Sequence, residues 1–189
     1  MKIMYYTGDI TKSARDAIVN AANPLLVGGG GVDGAIHRAA GPELFTECMT
    51  AEKQNGIRCP AGTAVITTGC NLRAKYVIHA VGPIYPGGIE PRYPGEARCS
   101  TVVGANELLA KAIRACLSMA ECMRIRSIAF PAISCGVYGC TIEAFAKVMQ
   151  ATLEEKRWDL DNLDIVLFTT EDYSRFDKAW LEGCKPVVP

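Results

Sequence analysis

The chain has 189 residues, 49% of them hydrophobic and 21% charged, with 20 basic and 20 acidic side chains. That length suits one domain with a full core, and the balanced charge excludes a general attraction to polyanions, so nucleic acid is not an expected partner. No apolar run approaches the roughly 18 residues of a membrane span, and the start "MKIMYYTGD" lacks the pattern of a secretory leader, so a soluble cytoplasmic protein is expected.

Taken in chain order, "KIMYYTG" (2–8), "AIVNAA" (17–22), "AVITTG" (64–69), "YVIHAVG" (76–82), "SIAFPAI" (127–133) and "DIVLFTT" (164–170) read as strands. Most are almost continuously apolar rather than alternating, which predicts strands covered on both faces. Helical spacing runs through 41–54, 97–123, 141–157 and 171–183. In the longest of these, Val103, Leu108, Leu109, Ala112, Ile113, Cys116 and Leu117 line one stripe, the pattern of a helix docked on a sheet. Strands alternating with helices predict an α/β sandwich. The stretch "GPIYPGGIEPRYPGEAR" (82–98), with four prolines and four glycines, reads as a surface loop, either a tolerated insertion or a lid.

Nine cysteines stand at 48, 59, 70, 99, 116, 122, 135, 140 and 184, an odd number with no CxxC pair. With only His37 and His79 to assist, no metal site is expected and the thiols read as small buried hydrophobes. Cys135 is singled out because it lies inside a glycine loop.

Two glycine loops carry the chemistry. "GGGGVDGAIHRAAG" (28–41) follows the strand 17–22 and leads into a short helix over "GAIHRAA". Four glycines together impose an entropic penalty that makes sense where backbone must approach a ligand closely, and backbone N–H groups with a helix N-terminus make an anion cradle. "SCGVYG" (134–139) repeats the arrangement after the strand 127–133. Two such loops at the carboxyl ends of buried strands fit a ligand with two phosphates. "TGDI" (7–10) ends the first strand at the same edge; Asp9 there either caps a turn or accepts a hydrogen bond from an exocyclic amine such as adenine's. Asp33 is likewise either a helix N-cap or an ionisable group at the cradle. His79, in a buried strand, reads as a core histidine bonded to backbone. Gly29, Gly31 and Gly34 formally satisfy G-x-G-x-x-G, but the helical pattern of "FTECMTAEKQNG" stands where a Rossmann site wants a strand ending in an acidic residue.

Together, "GDIT", "IVNAAN", "GGGGVDGAIHRAAG", "CPAGTAVIT", "VIHAVGP" and "AFPAISCGVYGC" resemble the macrodomain family, in particular its branch of ADP-ribosyl hydrolases that also deacetylate O-acetyl-ADP-ribose. The resemblance implies a single macrodomain over 1–189, a three-layer α/β/α sandwich with a mixed central sheet, and no cofactor or metal. The implied partners are ADP-ribose, O-acetyl-ADP-ribose and proteins mono-ADP-ribosylated on acidic side chains. Asp9 would bind the adenine amine and Ile10 its ring through the backbone. Asn23 would hold the distal ribose. Gly30, Gly31 and Val32 would grip the diphosphate with Ser134, Cys135, Gly136, Val137 and Tyr138, and Phe168 would stack on adenine. Asp33, assisted by Asn23, would direct the attacking water, with His37 propping the loop. The alternatives are a reader module that binds ADP-ribose without turnover and, on the G-x-G-x-x-G match, a Rossmann oxidoreductase.

Overall fold

The computed structural model describes residues 1–183. The apolar runs form six strands: β1 (Lys2–Thr7), β2 (Ala17–Ala21), β3 (Ala64–Thr68), β4 (Tyr76–Ala80), β5 (Ser127–Pro131) and β6 (Asn162–Leu167). They build one sheet in the order β1-β6-β5-β2-β4-β3. Every neighbouring pair is parallel except β3–β4, so the sheet is mixed, as expected. The helices are α1 (Gly31–Ala40), α2 (Pro42–Thr50), α3 (Val102–Cys122), α4 (Ile142–Glu154) and α5 (Thr170–Gly183).

The pleat sends successive side chains to opposite faces, and each face has its own core. Ile18, Val77, Ala129 and Val166 pack against Ile36 and Ala40 of α1 and Leu44 and Cys48 of α2. Val19, Ile78, Phe130 and Ile165 pack against Leu109 and Ile113 of α3, Phe145 and Met149 of α4, and Phe176 of α5. This is the three-layer α/β/α sandwich. None of the described helices is long and apolar enough to cross a membrane.

Several expected boundaries change. The long helix starts at Val102, not 97, because Thr101 caps it by accepting from the Gly104 N–H at 3.1 Å, while Arg98 pairs with Ile84 in the loop. Val103 is therefore in the first turn and 67% exposed, and Ala105 takes its place in the buried stripe. The helix after the first glycine loop begins at Gly31, three residues earlier than "GAIHRAA", and α2 stops at Thr50 rather than 54, giving way to a turn with Asn55 and Gly56 at positive φ.

The sheet also opens a crevice. β2 and β5 pair only at Ala17–Ile128 and Ile18–Ala129; beyond those residues β2 continues its ladder with β4, and β5 with β6. From β2 the chain builds outward on one side through β4 and β3 and on the other through β5 and β6, so this is the topological switch point where α/β sheets bind ligands. The two glycine loops leave the strands that border it.

Candidate active site

The first loop is held by Asn23, two residues past β2. Its Oδ1 accepts from the N–H groups of Leu25 (3.1 Å) and Val27 (3.4 Å), and its Nδ2 donates to the Gly28 carbonyl at 2.8 Å. One amide N–H of Asn23 remains for a ligand. Gly30 caps α1 with no side chain, and Gly31 adopts a φ of +58°, which glycine tolerates without strain. A Cβ on Gly30 or Gly31 would meet nothing within 4 Å. Among the described residues the N–H groups of Gly29 to Asp33 have no acceptor, as the first turn of a helix dictates, so the loop presents a row of donors to open space.

Gly136 in the second loop likewise faces open space. The N–H groups of Gly136, Val137 and Tyr138 have no backbone acceptor among the described residues, whereas that of Cys135 is spent on the Ala132 carbonyl at 3.2 Å. Ser134 takes a φ of +65°, and its buried Oγ has no partner among the described residues and turns towards Gly82, where a Cβ would stand 2.2 Å from it. The Cys135 thiol points away from the open side, lying 3.6 Å from the Ile133 carbonyl and 3.7 Å from that of Thr141. A hydrogen bond with Cys140, together with burial, pushes it well above the usual thiol range.

At the other end of the crevice the Gly8 N–H donates to the Leu167 carbonyl at 2.9 Å, so Asp9 and Phe168 follow the neighbouring ends of β1 and β6. Asp9 Oδ1 accepts from the N–H (3.0 Å) and hydroxyl (2.8 Å) of Thr11, so the capping alternative is realised. The carboxylate is exposed, and the Ile10 N–H has no backbone acceptor among the described residues. Phe168 is 84% exposed, an aromatic ring left open beside a polar cleft.

Asp33 is not the N-cap, since Gly30 is; it stands in the first turn of α1 with its side chain turned under the loop, 5% exposed. Its Oδ1 accepts from Asn20 Nδ2 at 2.7 Å, with His37 Nε2 at 3.4 Å. Its Oδ2 has no protein partner among the described residues and stands 3.0 Å from where a Gly29 Cβ would be, with Asn23 Nδ2 at 4.0 Å from the same point. Burial lifts the Asp33 carboxyl above its ordinary range, the Asn20 hydrogen bond and the His37 charge pulling it partly back. A carboxylate so adjusted is a stronger base than a solvent-exposed one.

Asn20 was missed in the sequence. Its signal was a polar side chain inside the continuously apolar run "AIVNAA", which no core demands. His79 is buried, as expected, but its partners are side chains rather than backbone: Nδ1 meets Asn20 Nδ2 at 3.1 Å, and Nε2 meets Thr67 Oγ1 at 3.0 Å and Cys48 Sγ at 3.7 Å. Burial pushes its pKa down to about 3 and that of the Cys48 thiol up to about 12, so both stay neutral. The ligand atoms of His37, Cys48 and His79 lie within 4.8 Å of one another. Both ring nitrogens of His79 are already committed, so the trio reads as a hydrogen-bonded support for Asp33. His37 also supports the loop, its ring lying 3.6 Å from where a Gly28 Cβ would be. The eight cysteines among the described residues are free thiols, four of them buried; Cys184 lies outside the described residues.

The proline-rich stretch is anchored on the second glycine loop. Its Tyr85 and Ile89 N–H groups donate to the carbonyls of Tyr138 (2.8 Å) and Val137 (3.1 Å), and Tyr85 is buried. The Rossmann alternative fails on topology: after α1 comes α2 and then β3, an antiparallel edge strand, where the motif requires a parallel neighbour.

Comparison with known proteins gives the same picture. The Macro domain family model matches residues 19–149. An O-acetyl-ADP-ribose deacetylase of Citrobacter rodentium is 53% identical over 148 residues, 78% of this chain and 76% of its own length. The Oceanobacillus iheyensis macrodomain solved with ADP superposes with a TM-score of 0.80 at 40% identity, covering 94% of this chain and 88% of that one. A Trypanosoma brucei macrodomain solved in complex with ADP-ribose gives a TM-score of 0.76 at 36% identity over 93% of this chain and 68% of that one. The sandwich, the crevice with its two glycine loops and these likenesses agree that this chain belongs to the macrodomain family.

Proposed function

We propose that this protein binds ADP-ribose in the crevice and hydrolyses esters of it, both O-acetyl-ADP-ribose and mono-ADP-ribosyl groups on acidic side chains, and that the whole chain acts as one macrodomain. The strands β1 and β6 and helix α5 complete the sandwich although they lie wholly outside the family match, which supports the single unit. The named activity of the deacetylase relative and the ADP and ADP-ribose held by the structural neighbours support the ligand class.

The observation that carries the hydrolase reading is Asp33: a buried carboxylate with one oxygen anchored on Asn20 and the other open beside Gly29. The diphosphate sits on the N–H rows of Gly30 to Val32 and of the Ser134–Tyr138 loop, with Cys135 contributing only its place in the turn. Adenine lies against Phe168, its amine on Asp9 and a ring nitrogen on the Ile10 N–H. Asn23 holds the distal ribose. Water then stands between Asp33 Oδ2 and the substrate. Its oxygen bonds to the anomeric carbon, breaking the bond to the modified carboxylate, or to the acetyl carbonyl, releasing acetate. In either case Asp33, aided by the substrate phosphate, takes the water's proton. A reader needs the cradle alone and has no use for a carboxylate kept in a desolvated place.

The test is a time course of ADP-ribose release from a glutamate-linked mono-ADP-ribosylated protein and from O-acetyl-ADP-ribose, beside calorimetry with ADP-ribose. Release with binding is the expected result; binding without release from either substrate makes the protein a reader.

A further inference from the structure

Asn20, His79 and Thr67 form a polar row across three adjacent strands, on a sheet face otherwise lined by Ile18, Val77, Ala129 and Val166. Asn20 and His79 oppose each other directly on β2 and β4, and Thr67 on β3 stands two residues beyond Val65, the direct neighbour of His79. All three are buried. A buried polar row adds nothing to a core that apolar residues would not supply, and this one leaves Asn20 Oδ1 buried without a partner among the described residues. Such an orphan needs a reason.

The reason lies in which atom donates to which. The Asp33 carboxylate only accepts, so Asn20 turns Nδ2 towards it, and the same Nδ2 meets His79 Nδ1, which is therefore an acceptor. Nε2 then carries the imidazole proton and donates to Thr67 Oγ1, whose own hydrogen is left for the Thr68 carbonyl at 3.0 Å. The arrangement leaves Asn20 Oδ1 turned towards no partner among the described residues. The far end is held in turn by Glu47 on α2, whose carboxylate takes the Thr68 N–H at 2.8 Å and the Thr68 hydroxyl.

We propose that Thr67 and His79 are positioning residues for the hydrolysis: by fixing the histidine tautomer they lock the Asn20 amide, which holds Asp33 Oδ1 and leaves Oδ2 aimed at the glycine loop. The inference rests on the reading of Asp33 as the water-directing group. Without Thr67 the ring is free to move its proton to Nδ1, where it opposes the Asn20 N–H; the amide then turns and presents oxygen to a carboxylate. The Asn20 bond is one of the two influences that lower the Asp33 pKa, so its loss raises that pKa and the acid limb of the rate profile moves to higher pH. The other ionisable groups around Asp33 and His79 are His37 on α1, Cys48 and Glu47 on α2, Cys59 before β3 and Tyr138 in the second loop.

The experiment follows O-acetyl-ADP-ribose hydrolysis from about pH 5 to 9 with the full chain, its Thr67→Val, Thr67→Ser and Asp33→Asn variants, together with ADP-ribose affinity. Thr67→Val keeps the shape and removes the acceptor. Its kcat is expected to fall about tenfold, less than the loss of the acid-base group itself, with the acid limb moved upward and KM and ADP-ribose affinity unchanged. Thr67→Ser, which keeps the hydroxyl, is expected to restore the rate. A separate measurement needs no variant: with only two histidines in the chain, nitrogen NMR of the imidazoles is expected to show His79 protonated at Nε2. Protonation at Nδ1 overturns the inference, as does a Thr67→Val enzyme with wild-type kcat and pH profile, or one that loses affinity and rate alike. An active Asp33→Asn, or a wild type without turnover, overturns the reading of Asp33 beneath it; an inactive Asp33→Asn beside an unaffected Thr67→Val overturns the inference alone.

Discussion

The phenol of Tyr138, in the second glycine loop, donates to the carboxylate of Glu96, in the proline-rich loop, and so joins two segments 42 residues apart. The other oxygen of Glu96 takes the N–H groups of Arg92 (2.5 Å) and Tyr93 (3.1 Å), so one carboxylate closes the turn of its own loop and straps it to the phosphate cradle. Backbone contact makes the strap close: a Cβ on Gly88 would lie 2.5 Å from the Tyr138 carbonyl oxygen.

Cutting that strap should loosen the cradle without touching its donors. Glu96→Ala is expected to weaken ADP-ribose binding about threefold to tenfold, the worth of one hydrogen bond of about 1 kcal/mol. The amides of Tyr85 and Ile89, which donate to Tyr138 and Val137, should exchange faster with solvent. Unchanged affinity and exchange would mean that the two loops are rigid independently of each other.

The glycines of the two loops divide by what a methyl group would meet. At Gly136 it meets nothing within 4 Å, so Gly136→Ala should melt within about 0.5 kcal/mol of wild type yet bind ADP-ribose at least about tenfold more weakly, because the space is the ligand's. At Gly34 it would stand 2.4 Å from the Gly29 carbonyl oxygen, a backbone atom that cannot turn aside. Alanine is the better helix former by about 1 kcal/mol, but the clash outweighs that, and Gly34→Ala should lose on the order of 1–3 kcal/mol of stability along with binding. Thermal melting and calorimetry on the pair decide the matter; the reverse ranking would misplace the ligand.

The local devices were legible in the sequence. Continuous apolar runs marked the covered strands, and the glycines marked where backbone faces open space. What escaped was set by register between distant strands. Nothing in "AIVNAA" says that Asn20 will face Asp33 and oppose His79, which is 59 residues away. Nor does the sequence show that β3 turns antiparallel, which both removes the Rossmann alternative and brings Thr67 to the histidine. The proline-rich loop has no periodicity from which to read Glu96 as a strap. Asp33 reads in the sequence as a helix N-cap or a group at the cradle; the helix begins at Gly31, inside the glycine run, and so takes Asp33 into its first turn.

Asp33→Asn should separate rate from stability. Turnover is expected to fall by about 10² to 10⁴, the range for a positioned acid-base group, while ADP-ribose affinity stays within about threefold. Burial raises the folded-state pKa of the carboxyl, so the folded protein holds that proton more tightly than the unfolded chain does. Stability is therefore lost as pH rises from the ordinary carboxylate value of about 4 through the raised one, and the penalty is complete above it. An asparagine carries no such penalty and can still accept from Asn20. The variant should melt higher than wild type at pH 7, and a lower melting temperature would show that the charge is better compensated than burial implies.

His79 acts in the opposite sense on acidification. Its folded-state pKa is pushed down to about 3 from an ordinary 6.5, so below about pH 6.5 the unfolded chain binds a proton that the folded core refuses. Stability is full above that pH and is lost as pH falls towards 3. Between pH 6.5 and 4.5 the loss from this one group should reach about 2 to 3 kcal/mol, at about 1.4 kcal/mol per pH unit. His79→Gln keeps an acceptor for Asn20 and a donor for Thr67 without a titrating ring. Denaturant unfolding of both proteins at pH 7 and 4.5 cancels the contributions of the carboxylates they share, Asp33 among them. The variant is expected to lose less on acidification, and parallel losses in the two proteins would mean that the ring becomes charged within the fold.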